Sequence, residues 1–363
     1  MIKESLHKVL VVCRAPEKNT GGYWVVNRNI EMVKSTYGKE RIKIFYIPMP
    51  SICRRIENLL LNESYGLTFL LRRKLEKILK REKFALAFID SSLYGQTVKR
   101  LHTLGIPTIV FYHNVESDYY KSKYRVSHNP LDFLMCKYIR NNEAKSTKYG
   151  TKLITLNQRD SQGLAKEYNR KSDLILPTSF PRRVMSEKSL LRDEEYCLFV
   201  GSDFFANQEG ISWFIQEVAP HINIQVWIAG NICKFIHTKF NRTLPSNIKL
   251  LGVVDNLDEI YLNASCVISP IFSGSGLKTK SIEALSFGKT LLGTTEAFQG
   301  VGGDISQIGS LCNTAEEFIK ELNAMDATKK MNEEALRFFI NNFSHEIIFC
   351  KFDTFVKSNG LDL

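Results

Sequence analysis

Between Val267 and Gly300 the chain reads VISPIFSGSGLKTKSIEALSFGKTLLGTTEAFQG, and the residue types in this stretch could do chemistry. Ser273-Gly274-Ser275-Gly276 is a loop of two glycines and two hydroxyls, followed by Leu277. Glycines let backbone N–H groups come close to an anion, and a helix starting just after them aims its positive end at the same point. Lys278 and Lys280 add two cations in the first turns, and Glu283 follows on the same helix, within reach of sugar hydroxyls. Together they outline a site for a nucleotide diphosphate-sugar. The alternative reading of a lone Gly-x-Gly before a helix is a tight turn and nothing more.

The elements needed to hold such a loop are present around it. Val267-Ile268-Ser269-Pro270 closes a short apolar strand, and Lys289 to Gly293 forms a second strand ending in a loop at Thr294–Gly300. Upstream, the pattern predicts strands at residues 197–201, Ile224–Ala229 and Ile248–Leu251, with a helix over Asn207 to Val218. Downstream it predicts helices over Thr314–Leu322, Glu333–Asn341 and Ser344–Val356, the last opened by an N-cap serine.

The first half alternates in the same way. Strands are predicted at Lys8–Cys13, Ile42–Ile47, Phe84–Ile89, Thr108–Tyr112, Lys152–Thr155 and Asp173–Leu176. Asn19-Thr20-Gly21-Gly22 reads as a glycine loop after the first strand, with a helix over Tyr23 to Tyr37. Strands separated by helices imply parallel crossovers and doubly wound sheets, whose ligands sit at the carboxyl ends of strands. Gly21, Gly22 and His113 lie at such ends. A lone histidine there is either a hydrogen-bonded structural residue or part of a site.

A chain of 363 residues is long enough for two cores. The organisation expected is an α/β domain over 1–180, a proline-containing polar linker over 181–195, and a second α/β domain over 196–342. Residues 343–363 then form a helix packing back on the first domain. No run of about 18 apolar residues suggests a transmembrane helix. The start runs straight into a strand without a leader's apolar segment, so a cytoplasmic protein is expected. The eight cysteines never form a C-x-x-C pair, and Cys13, Cys197 and Cys266 read as reduced core residues.

The net charge of +11 is uneven: residues 1–180 carry 32 Lys and Arg against 16 Asp and Glu. This asymmetry points to an anionic partner for the first half. Residues 53–83 concentrate it, with Arg54, Arg55, Arg72, Arg73, Lys74, Lys77, Lys80, Arg81 and Lys83 beside an apolar stripe of Leu71, Leu75, Ile78 and Leu79. A solvated helix with its stripe on the core and a basic surface docking on anionic lipid are both compatible with that pattern. No basic-aromatic nucleic-acid module is present, so nucleic acid is not an expected partner.

The run Gly274 to Lys289 matches, position by position, the motif G-x-G-x-(R/K)-x-K-x-x-E-A-(L/M)-x-x-G-(K/P) and so resembles the donor-binding segment of retaining family 4 of the GT-B glycosyltransferases. More weakly, the resemblance covers nearly the full chain. Phe199-Val200-Gly201 with Asn207-Gln208-Glu209-Gly210 resembles the opening of the family's second domain, although no cation lies between Gly201 and Trp213. Lys278 and Lys280 are then expected to meet the diphosphate, with Gly201 and Ser202 beside it. Ile228-Ala229-Gly230 and Asn231 resemble the strand end that walls the nucleotide, and Leu250 to Val254 with Asp258 and Tyr261 the segment beside the base. Phe111 to Glu116 resembles the segment whose strand-end histidine, here His113, lies near the acceptor. The run from Glu143 resembles the helix–strand–helix that closes the family's first domain.

The resemblance implies two Rossmann-like domains facing a cleft. The reaction implied is transfer from a UDP-, GDP- or dTDP-sugar to a glycan or lipid-diphosphate-linked acceptor, with retention and without metal or other cofactor. Glu283 matches the second glutamate of the family's pair, which binds the ribose. Ser275 stands eight positions before it, or Ser273 when the glycines are aligned, so the first carboxylate is missing. The expected place of work is the inner face of a membrane, in surface polysaccharide synthesis. A catalytically inactive GT-B partner subunit is the first rival reading, and a nucleic-acid-binding protein, which would explain the charge, is the second.

Overall fold

The computed structural model describes residues 7–15, 21–49, 51–60, 62–183, 194–241, 243–274 and 277–363. The chain divides into two units, residues 1–177 with 349–363, and residues 178–348.

The first unit holds a six-stranded sheet of order β2-β1-β3-β4-β5-β6. Its strands are β1 Lys8–Arg14, β2 Ile42–Ile47, β3 Phe84–Ile89, β4 Thr108–Tyr112, β5 Lys152–Thr155 and β6 Leu174–Ile175. Every pairing is parallel. Strands covered on both faces need continuous apolar runs, and Val9 to Cys13 are all buried. The helices are α1 Gly21–Tyr37, α2 Ile52–Leu60, α3 Phe69–Arg81, α4 Gly95–Thr103, α5 Glu116–Ser127, α6 Pro130–Tyr149 and α7 Gln158–Tyr168. Residues 349–363 complete this unit: Phe352 packs edge-on to Phe88 at 6.0 Å, and the Tyr37 hydroxyl donates to the Leu361 carbonyl at 3.1 Å.

The second unit has a parallel sheet of order β12-β11-β10-β7-β8-β9. Its strands are β7 Tyr196–Val200, β8 Gln225–Ala229, β9 Ile248–Gly252, β10 Cys266–Ser269, β11 Thr290–Gly293 and β12 Gly309–Leu311. The helices are α8 Phe205–Glu217, α9 Ile232–Phe240, α10 Asp258–Asn263, α11 Thr279–Ser286, α12 Ile305–Ile308, α13 Ala315–Ala324 and α14 Glu333–Phe343, and α15 His345–Ser358 begins in this unit and continues into residues 349–363 of the first. In each sheet the winding reverses direction once, between β1 and β3 and between β7 and β10. Such a switch point opens a crevice at the carboxyl ends of the strands.

Three expectations change. Gly21 and Gly22 are the first residues of α1, not part of a loop, and Asn19 and Thr20 lie outside the described residues. The boundary between units falls after Pro177, because Phe180 bridges to Ser344 and accepts a hydrogen bond from the His345 N–H at 3.0 Å. Most of the expected linker, residues 184–193, lies outside the described residues. Residues 53–83 hold two helices, α2 and α3, with a turn between them. Leu75 is buried, and Leu71, Ile78 and Leu79 pack on the same core, while Arg72, Arg73, Lys74, Lys77 and Lys80 are exposed. Beyond the stripe, Ile56, Leu60, Phe69 and Leu70 are also exposed, Leu60 at 81%. No helix among the described residues is long and apolar enough to cross a membrane.

Candidate functional site

In the second unit the expected residues lie at the carboxyl ends of β7, β8, β9 and β10 and on helix α11. Gly274 has φ 127°, a conformation that glycine tolerates and other residues rarely adopt. A Cβ at this position would stand 3.6 Å from the Lys278 ammonium, so the lysine leans over the loop. Ser275 and Gly276 lie outside the described residues, and Leu277 is buried beyond them. Helix α11 then starts at Thr279, carrying Lys280 and Glu283 in its first turns.

The two lysines are held differently. Lys278 forms an ion pair with Glu296 at 2.8 Å, from the loop after β11. Lys280 donates to Asn207 Oδ1 at 2.5 Å and lies 4.4 Å above the Phe199 ring. Burial, with Lys278 alongside, pushes the Lys280 ammonium down to about 7. Asn207 in turn donates to the Ser202 carbonyl at 2.9 Å, tying α8 to the end of β7. The loop after β10 is anchored on both sides: Ser273 donates to Glu209 of α8 at 2.6 Å, and Ser281 to the Ala297 carbonyl at 2.8 Å.

Glu283 accepts from the Tyr261 hydroxyl at 3.3 Å. Burial raises its carboxyl above the ordinary range, against the pull of Arg183. Arg183 itself holds Asp258 through two contacts of 2.9 and 3.0 Å and lies over the Phe287 ring at 4.5 Å. Gly201 and Gly230 close the ends of β7 and β8. With φ 107°, Gly230 approaches so near that a Cβ would meet the Gly201 carbonyl at 2.1 Å. Asn231 is exposed at the start of α9, and Val254 is half-buried in the loop after β9.

His113, Gly21 and Gly22 belong to the first unit. His113 follows β4, and its Nε2 lies 3.2 Å from Asp90 Oδ1, with Asp90 at the end of β3. Burial works against the charged ring, but the Asp90 carboxylate and Glu116 more than offset it, so His113 titrates above its ordinary value. The run from Glu143 is also in place: the buried Glu143 carboxylate accepts from the N–H groups of Glu116 and Ser117 at 2.9 and 3.1 Å, anchoring the start of α5.

Sequence reasoning missed Glu296, Glu209, Arg183 and Asp90. Each acts on a partner 18 or more positions away: 18 from Glu296 to Lys278, 64 from Glu209 to Ser273, 75 from Arg183 to Asp258. Local spacing carries no trace of such pairs. The lack of a cation between Gly201 and Trp213 pointed to Lys278 and Lys280 instead, and the structure sets Asn207 of that stretch against Lys280.

Comparison with known proteins bears on the fold. Residues 194–325 match the family profile described as "Glycosyl transferases group 1". An uncharacterized 44.6 kDa protein in the cps region of Klebsiella pneumoniae is 23% identical over 168 residues, 42% of this chain; the match spans 43% of that relative. Among solved structures, HepE of Anabaena in complex with UDP aligns with TM-score 0.70 at 12% identity, over 97% of this chain and 100% of that one. WaaG, a glycosyltransferase involved in lipopolysaccharide biosynthesis, aligns with TM-score 0.68 at 14% identity, over 96% and 99%. Two α/β units, each built on a six-stranded parallel sheet in this order, give the chain the GT-B fold.

Proposed function

We propose that this chain is a glycosyltransferase that moves a sugar from a nucleotide-sugar to an acceptor hydroxyl. The observation that carries the reading is the cradle after β10, where a positive-φ glycine, two lysines and the start of α11 converge beside the β7 switch point. Cations and oriented N–H groups of this kind stabilise the charge that builds on a leaving diphosphate. Solved structures of the similar HepE in complex with UDP and with UDP-glucose support the choice of donor.

The finer features follow from the same site. Lys278, Lys280 and the helix terminus meet the diphosphate charge, so turnover is expected to survive chelation of divalent metals. The motif match favours retention of configuration, with Glu283 on the ribose. Glu209 bears on the missing first carboxylate, because its hydrogen bond to Ser273 brings a carboxylate from α8 to the loop position where the motif lacks one. That contact favours an active enzyme over an inert subunit. The exposed cations and apolar side chains of α2 and α3 fit docking on an anionic membrane, and hence a lipid-diphosphate-linked or growing glycan as acceptor.

The test is a thermal-shift panel of UDP-, GDP- and dTDP-sugars, followed by donor hydrolysis and transfer assays with the binder. Stabilisation by one nucleotide class with slow hydrolysis is expected. A folded protein that binds none of the panel refutes the reading.

A further inference from the structure

Asp90, at the end of β3, is used by nothing described so far except its contact with His113. Its side chain is fully buried, and its Oδ1 accepts from the Asn29 amide of α1 at 2.5 Å. His113 Nε2 sits 3.2 Å from that same oxygen and 3.1 Å from the Asp90 backbone carbonyl. Both neighbours of Nε2 are therefore oxygens that can only accept. A ring nitrogen between two acceptors must carry the proton, which leaves Nδ1 with the lone pair in the neutral ring. Among the described residues Nδ1 has no hydrogen-bond partner, and the side chain keeps 23% of its surface exposed.

We propose that Asp90 is a positioning residue that fixes His113 as the Nε2–H tautomer and presents Nδ1 to a substrate hydroxyl as a hydrogen-bond acceptor. The substrate clause rests on the transferase reading above, whereas the tautomer itself does not. Asn29 braces the carboxylate from α1, so the ring, the acid and the amide join the ends of β3 and β4 to one helix. The other groups around the ring are consistent with this role. Glu116, at the start of α5, adds negative charge. Its own carboxyl is pushed up to about 7 by burial and by Glu143 from α6. Arg28 of α1 lies 5.4 Å over the Phe111 ring, whose edge meets the His113 ring at 5.1 Å. Protonation of Nδ1 would convert an acceptor into a donor, so the ring could no longer accept the hydroxyl's O–H, and acceptor kcat/KM is expected to fall below the His113 pKa.

Nitrogen NMR of the uniformly labelled full chain tests the tautomer, with the His113 signals assigned by their loss in His113→Gln. The expected result is a neutral ring protonated at Nε2. A neutral ring protonated at Nδ1 overturns the proposal and leaves the donor reading untouched. In Asp90→Asn an amide oxygen remains but the charge is gone, so the His113 titration should move down by about one unit or more. An unmoved titration also overturns it. If transfer is measurable, the acidic limb of the acceptor kcat/KM should move to lower pH in Asp90→Asn while the KM for donor stays constant. A variant that loses kcat at all pH values without a moved limb marks Asp90 as structural only. Should Asp90→Asn fail to fold, the wild-type tautomer alone decides.

Discussion

Binding of a nucleotide-sugar should draw a proton onto Lys280. In the free protein burial and the neighbouring Lys278 hold this ammonium down to about 7, from an ordinary 10.5. A bound diphosphate places negative charge beside it and favours the charged form. The sign follows: above pH 7 the free lysine is mainly neutral and the bound one charged, so complex formation takes up protons. Linkage gives the size, about 0.9 proton at pH 8, about half a proton at pH 7 and about 0.1 at pH 6. Affinity should then fall close to tenfold per pH unit above pH 8, until the pKa of the bound state is reached. Calorimetry of UDP-glucose, or of whichever panel member binds, measures the uptake from the dependence of binding heat on buffer ionisation enthalpy. A nucleotide-sugar is the right probe because its diphosphate has no group titrating between about 6 and 9, unlike that of free UDP. Lys280→Arg stays charged throughout and should bind without proton uptake. Heats at pH 8 that do not depend on the buffer, or uptake that persists in Lys280→Arg, would refute the placement of Lys280 against the diphosphate.

Four further outcomes are expected. Glu283→Gln should weaken donor binding by about 1.5–3 kcal/mol, the range for a charge-assisted hydrogen bond, and unchanged affinity by calorimetry would remove Glu283 from the site. Lys278→Ala with Lys280→Ala should nearly abolish turnover while the protein still melts cooperatively, whereas Glu296→Gln, which frees Lys278 from its ion pair, should bind UDP more tightly; normal turnover in the double variant would place the diphosphate elsewhere. Reversing Arg72, Arg73, Lys77 and Lys80 to Glu should release the protein from anionic vesicles, since each such cation contributes about 1 kcal/mol at the surface. Wild-type protein that ignores those vesicles at low salt would exclude membrane docking.

Much of the scaffold was legible because parallel strands announce themselves as short apolar runs. Ile42–Ile47, Phe84–Ile89 and Thr108–Tyr112 were predicted with the same bounds the structure shows. Strand β12 was not, because Gly309-Ser310-Leu311 has no apolar run and exists only through pairing with β11. The start of α1 was misplaced for a related reason, since two glycines argue for a loop until the rest of the fold fixes them. Of the site, the stretch from Gly274 to Glu283 was legible because loop, cations and carboxylate share one local run. The partners that set its charge were not: Glu296 on Lys278 and Asn207 on Lys280 depend on how distant loops meet. The same holds for Asp90, which reaches His113 only across two neighbouring strands.

Lys289 closes the motif run and lies in the protein interior with 1% of its surface exposed. Its ammonium donates to the Leu262 carbonyl at 2.8 Å, the Ala264 carbonyl at 2.9 Å and the Lys330 carbonyl. Burial and the three surrounding carbonyls enclose the nitrogen, so no acylating reagent can reach it while these strands and loops stay together. Lys280, nine positions earlier, shares its helix–strand neighbourhood but stays half-buried beside the cradle. Amine footprinting would therefore read two clocks from one tryptic region: modification of Lys280 follows occupancy of the cradle, and modification of Lys289 follows opening of the second unit itself.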